Sequence, residues 1–148
     1  MKYKIIDIFK AFNSKLNILS DLPLLAMRLI LAYGFWGPGM MKWKDINAIG
    51  AWFESMGYPM PMLNAYAAAT TEVAGAVLLI FGFATRIISI PLMIVMLVAI
   101  FTVHGANGFE AANNGFEIPL YYLIMLFTLL IYGGGKISID GILKKIIK

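Results

Sequence analysis

A chain of 148 residues in which 61% are hydrophobic and only 14% charged has too little polar surface to stay dispersed in water, which argues against a soluble enzyme. It contains no cysteine, so disulfides, thiolate metal sites and thiol-disulfide chemistry by the chain itself are excluded. The net charge of +4 is that of a membrane protein with basic flanks and gives no reason to invoke nucleic acid.

The elements follow in chain order. Lys2, Lys4, Lys10 and Lys15 are scattered among apolar residues without the compact apolar core and cleavage site of a secretory signal, so the first span is expected to be retained. Residues 3–16 place Ile5, Phe9, Phe12 and Leu16 on one helical face, which predicts an amphipathic helix in the membrane interface. Crossing a hydrocarbon core of about 30 Å takes roughly 20 apolar residues. Four stretches meet or approach that length: residues 22–42, 63–83, 87–102 and 118–132. The prediction is an all-α bundle of four transmembrane helices.

In the first span Pro38 stands between Gly37 and Gly39 and denies the carbonyl of Gly34 its donor, so the second half of this helix is expected to kink or unwind. Residues 44–62 are read as a polar loop ordered on the membrane surface, with Tyr58-Pro59-Met60-Pro61 extended. Gly82 to Arg86 is a tight hairpin, and residues 105–115 form a glycine- and asparagine-rich loop. At the end, residues 140–148 set Ile142, Leu143, Ile146 and Ile147 against Lys144, Lys145 and Lys148, a second interfacial helix facing lipid headgroups. The division is therefore an interfacial segment 1–21, a membrane domain 22–137 and a basic tail 138–148.

Ten of the twelve basic residues fall on the side of the two termini and the 82–86 turn, and only Lys42 and Lys44 on the other. Cytoplasmic flanks are rich in lysine and arginine, so both termini are expected in the cytoplasm and the protein in the inner membrane.

An ionisable side chain at the centre of a span costs on the order of 2.5 to 3.5 kcal/mol. Glu72 is the deepest, on a face of the second span shared with Ala65, Ala68 and Gly75 that lets another helix approach closely. One reading makes it a partner that holds helices together; the other makes it a proton or ligand site. Lys42, His104 and Glu117 lie toward the same side of the membrane and are expected to join it in one polar cluster, with Trp36, Trp43, Trp52, Tyr58 and Tyr66 nearby. One histidine with two carboxylates is a weak metal signal, and no metal site is predicted. Toward the termini Arg28, Arg86, Ser138 and Asp140 are candidates for a second cluster, although the favoured reading has Asp140 cap the terminal helix instead.

Taken in order, Arg28-Leu29, Gly34, Gly39-Met40-Met41-Lys42, Glu72-Val73-Ala74-Gly75, Gly82, Thr85-Arg86, His104, Gly115-Phe116-Glu117 and the run from Gly133 to Asp140 resemble the DoxX family of small four-helix membrane proteins, over about residues 25–143. Pro38 departs from the histidine that many members carry before the glycine. The resemblance implies a link to membrane redox chemistry, since members are associated with thiosulfate:quinone oxidoreductases, quinol oxidase complexes and oxidative-stress complexes. On that basis one expectation is a quinone-interacting subunit of an oxidoreductase. In it Glu72, His104 and Lys42 move protons or bond the carbonyls, Arg28, Gly39, Glu117 and Trp36 help to hold the quinone, and a partner protein supplies electrons. The alternative is a non-catalytic membrane anchor or assembly factor, or a small-solute carrier acting as a homo-oligomer.

Overall fold

The structure, a computed structural model, describes residues 19–147 together with Phe12 and Leu16. Apart from Phe12 and Leu16, the interfacial helix expected over residues 3–16 lies outside the described residues. Those that are described form helices and loops, without a strand. Helix α1 (Asp21–Lys44) is followed by the short α2 (Ile46–Ser55), then α3 (Pro61–Phe81) and α4 (Thr85–Ala99). Helix α4 runs on as a π-helical turn (Ile100–His104) and a 3-10 turn (Gly105–Asn107). Helix α5 (Glu117–Tyr132) and the terminal α6 (Ile139–Ile146) complete the chain.

Three of these helical stretches, Asp21–Lys44, Pro61–Phe81 and Thr85–Asn107, are long and apolar enough to cross a membrane, while Glu117–Tyr132 is apolar but shorter. Ile87, Ile90, Phe101, Ile124, Phe127 and Ile131 are all exposed on the outside of the bundle. An apolar exterior of this kind suits lipid, and every backbone group in lipid must find its partner within the protein, which a helix provides. The protein is therefore a membrane protein with several apolar helices.

Helix α1 packs chiefly on α3, and α4 chiefly on α5. Leu31, Phe35, Leu79, Leu92, Leu126 and Leu129 meet in the core between the four. Close approach depends on glycines: a methyl group at Gly39 would lie 2.9 Å from Val73 and 3.0 Å from Cβ of Glu72, and one at Gly75 would lie 2.8 Å from Leu92.

Three expectations are corrected. Helix α1 continues unbroken through Pro38, so the expected unwinding does not occur; the lost hydrogen bond is absorbed while α3 packs along the same stretch. Residues 46–55 are not loop but helix, capped by the Asp45 carboxylate, which accepts from the Ala48 N–H at 3.1 Å. The third stretch is longer than 87–102 because it begins at Thr85 and keeps helical hydrogen bonding, in π and 3-10 form, to Asn107.

The end of the bundle that carries the tail is tied by charged side chains capping helices other than their own. Helix α3 closes at Gly82 (φ +63°) in a Schellman arrangement, with the Gly82 and Phe83 N–H groups on Leu79 and Leu78. The guanidinium of Arg28, 1% exposed, donates to the Leu79 carbonyl at that helix end and to the carbonyl of Ile137. The Asp140 carboxylate accepts from the Ala84 and Thr85 N–H groups, each at 2.8 Å, and so caps α4. Arg86 donates to Ile131 at the end of α5 at 2.8 Å. Asp140 thus does not cap the terminal helix, where Ser138 accepts from the Gly141 N–H instead. Arg28, Ser138 and Asp140 gather around Gly82, whereas Arg86 serves a separate helix end.

Candidate functional site

In the half of the bundle away from the tail, the helices diverge around a cavity of about 730 Å3. Its walls come from all four long helices, and its cover comes from α2 and the turn after it, through Trp52, Phe53, Tyr58 and Pro59. The cover is braced by an aromatic pair, Phe53 and Tyr58, with ring centroids 5.0 Å apart, and by a hydrogen bond between the hydroxyls of Tyr58 and Thr102. Thr102 lies in the π-helical turn, a distortion that often marks functional positions.

On α1 the lining residues Gly34, Pro38 and Lys42 recur every fourth position, which places them on one helix face. Opposite them on α3 stands Glu72, 4% exposed. The Lys42 ammonium lies 2.7 Å from Oε2 and 3.0 Å from Oε1 of Glu72. This ion pair is set into a wall that is otherwise largely apolar, built from residues such as Phe35, Ile94, Val95, Val98 and Ile118. A carboxylate held by two contacts beside apolar walls interacts more strongly with a polar group that enters beside it than it would in bulk water.

The other predicted residues divide. His104 lines the same cavity, and its Nδ1 lies 2.8 Å from the carbonyl oxygen of Asn114. A carbonyl only accepts, so Nδ1 carries the proton and Nε2 is the basic nitrogen. Glu117 does not join the Lys42–Glu72 pair. Its carboxylate accepts from the Ala111 N–H at 2.9 Å and from the Tyr121 hydroxyl at 3.0 Å, and so organises the 105–116 loop. Gly39 packs on Val73 and Glu72 behind the cavity wall. Trp36 is 45% exposed and outside the lining, and Arg28 is committed to helix ends at the opposite end of the bundle. The single cluster of Lys42, Glu72, His104 and Glu117 is thus replaced by an ion pair and a histidine on one cavity, with Glu117 in the loop.

Tyr122 is a lining residue that the sequence reading missed. It sits at the fourth and seventh positions before the core residues Leu126 and Leu129, a helical spacing that marks it as inward-facing.

Comparison with known proteins fits this architecture. The chain matches the DoxX family over residues 23–105, and it belongs to that family. It is 33% identical over 135 residues to a Haemophilus influenzae protein named only "Uncharacterized protein", covering 86% of this chain and 87% of that one. It is also 33% identical over 105 residues to "Putative oxidoreductase CatD" of Bacillus subtilis, covering 71% of this chain and 73% of that protein. No solved structure matches it significantly.

Proposed function

We propose that this DoxX-family protein is a quinone-binding membrane subunit of an oxidoreductase system, and that its site is the cavity bearing Lys42 and Glu72. The observation that carries the reading is an ion pair between the buried Glu72 and the partly buried Lys42 in the wall of a mostly apolar cavity of about 730 Å3. That volume is within the roughly 300–1,000 Å3 of small-molecule sites, which are mostly apolar with a few placed polar groups. The residues present fit a quinone ring: apolar walls for its faces and tail, and an ammonium group for a carbonyl oxygen. The name of the Bacillus subtilis relative adds support for redox chemistry.

A bound quinone supplies a two-electron, two-proton acceptor. Lys42 has three N–H donors, of which two serve Glu72, and the third is left to bond a carbonyl oxygen. Glu72 holds the ammonium in place through Oε1 and Oε2 and is the group able to take up or release a proton beside the ring. His104 Nε2 is a second basic atom on the same cavity, on the side of the 105–116 loop. The apolar walls and the aromatic cover keep water away from the exchange. Electrons come from a protein partner, since the chain itself has neither thiols nor a nucleotide fingerprint.

In this reading α1, α3, α4 with its extension, and α5 each cross the inner membrane, and both termini face the cytoplasm. The basic face of α6, with Lys144 and Lys145, then meets the cytoplasmic leaflet. The test is to extract the lipid-soluble molecules that copurify with the native protein and with a Lys42→Met, Glu72→Gln variant, and to identify them by mass spectrometry. Quinone in the native preparation and its loss from the variant is the expected result. Phospholipid alone in both would defeat the proposal and leave a membrane anchor, an assembly factor or a small-solute carrier.

A further inference from the structure

The lining of the cavity does not stop at the inward faces of α3 and α4. Successive residues of a helix are turned by about 100°, so residues two apart point to nearly opposite sides. Ile94 lies two residues from each of the buried Leu92 and Met96, and Ala67 two from each of the buried Ala65 and Ala69. Ile94 is accordingly 56% exposed and Ala67 is exposed as well, yet both line the cavity, as does the exposed Val98. A cavity whose lining passes round two helices onto their outer faces is open to the outside along the seam between them.

The seam has a frame. At one end Gly75 of α3 packs on Leu92 of α4, so closely that a methyl group on the glycine would lie 2.8 Å from the leucine. At the other end the turn after α2 is tied to both helices: the Asn64 side chain donates to the carbonyl of Pro59, and the Tyr58 and Thr102 hydroxyls share a hydrogen bond. Between these ties α3 presents only the small Ala67, Ala68 and Thr71 toward Pro91, Ile94 and Val98. From Asn64 to Gly75 the opening extends roughly 16 Å along α3, at a rise of about 1.5 Å per residue. The seam on the other side of the bundle is filled at Gly34 of α1, where a methyl group would overlap the ring of Tyr122 from α5.

The occupant follows from what each end of the opening meets. Leu63 on α3 and Ile90, Leu97 and Phe101 on α4 are exposed around it, so the surroundings it faces are hydrocarbon. Its rim carries no charge, and a hydrated polar group crossing there would leave its water without replacement. Inside, Glu72 follows Thr71 directly and holds Lys42. A polar head beside the ion pair and an apolar chain leaving through the seam suit a single amphiphilic molecule.

Resting on the quinone reading above, we infer that the seam between α3 and α4 is a side portal that holds the hydrocarbon tail of the ligand, so that the substrate class is a long-tailed quinone drawn sideways from the bilayer.

The experiment uses the full-length protein in lipid bilayers and two quinones with the same ring, one without a tail and one whose long alkyl tail carries a diazirine close to the ring. Photolysis of the tailed probe is expected to place adducts on residues 67–71 and 94–98, and excess unlabelled tailed quinone to suppress them. The double variant Ala67→Phe, Val98→Phe enlarges two exposed side chains on the rim and leaves the core alone. It is expected to lose the adducts in the seam while binding the tailless quinone, followed by titration calorimetry, as the native protein does. Should the variant lose the tailless quinone too, the adduct positions in the native protein decide. Competed adducts confined to α1 and α5, or an unaltered pattern in a variant that still binds the tailless quinone, would overturn the portal and leave the quinone reading intact. Failure of the native protein to bind either quinone would overturn both.

Discussion

Lys42 of α1 and Glu72 of α3 lie thirty residues apart in sequence, yet the ammonium contacts both carboxylate oxygens, at 2.7 and 3.0 Å. Neither charge has another partner of opposite sign among the described residues, so each compensates the other. Removing one partner of a buried pair strands the other, whereas replacing both by apolar groups can be neutral. Lys42→Met or Glu72→Leu alone is expected to cost on the order of 3 kcal/mol, and the double variant to recover most of it. Thermal unfolding in one detergent checks this, and additive losses would mean that the two side chains are not coupled.

Asp140 makes a prediction about a distant helix. Its carboxylate caps α4 through Ala84 and Thr85. Asp140→Ala is expected to cost about 1–2 kcal/mol and to raise amide exchange at residues 84–88, more than fifty residues away in sequence. Faster exchange confined to α6 would contradict the capping role.

The fit between Arg28 and Gly82 leads to a third. Gly82 adopts φ +63°, and a methyl group there would run into the Arg28 guanidinium and Ser138. Gly82→Ala pays a left-handed backbone cost of about 1–2 kcal/mol in addition to that overlap. The tail should then loosen, which limited trypsin digestion detects as faster cleavage after Lys136. Unchanged cleavage would show that the tail is held by other means.

Thr85 is fully buried, and its hydroxyl has no partner among the described residues. Thr85→Val keeps the shape and removes an unsatisfied polar group, so it is expected to raise stability by about 1 kcal/mol. A fall of the unfolding midpoint would indicate that the hydroxyl is bonded in the native protein.

The proposed topology is checked by single cysteines, since the chain has none of its own. With a maleimide that does not cross the membrane, Ser55→Cys should label from the outside of intact cells and Lys145→Cys only after the membrane is opened. Labelling of both from one side would refute the three crossings proposed between them.

The apolar helices were legible because their composition leaves few alternatives in a bilayer, and the meeting of Lys42 with Glu72 was legible because glycine and alanine around both signal close helix contact. Helix α2 was not, since Asn47, Gly50 and the prolines after it look like loop until Asp45 is recognised as a cap. The fate of Pro38 depended on packing: one missing hydrogen bond does not unwind a helix that α3 supports along the same stretch. Asp140, Glu117 and His104 were recognised as polar residues with a task, but their partners, Ala84, Ala111 and Asn114, are fixed only by tertiary folding and loop closure.

The central claim, that the cavity walled by Lys42 and Glu72 receives the quinone, is tested most directly by photolabelling the full-length protein in membranes with an azidoquinone and mapping the modified peptides. The account predicts adducts on cavity-lining stretches of α1 and α4, around residues 34–42 and 91–99, and their suppression by excess unmodified quinone. Adducts confined to the lipid-facing side chains, such as Tyr33, Phe101 and Ile131, and insensitive to competition, would contradict it.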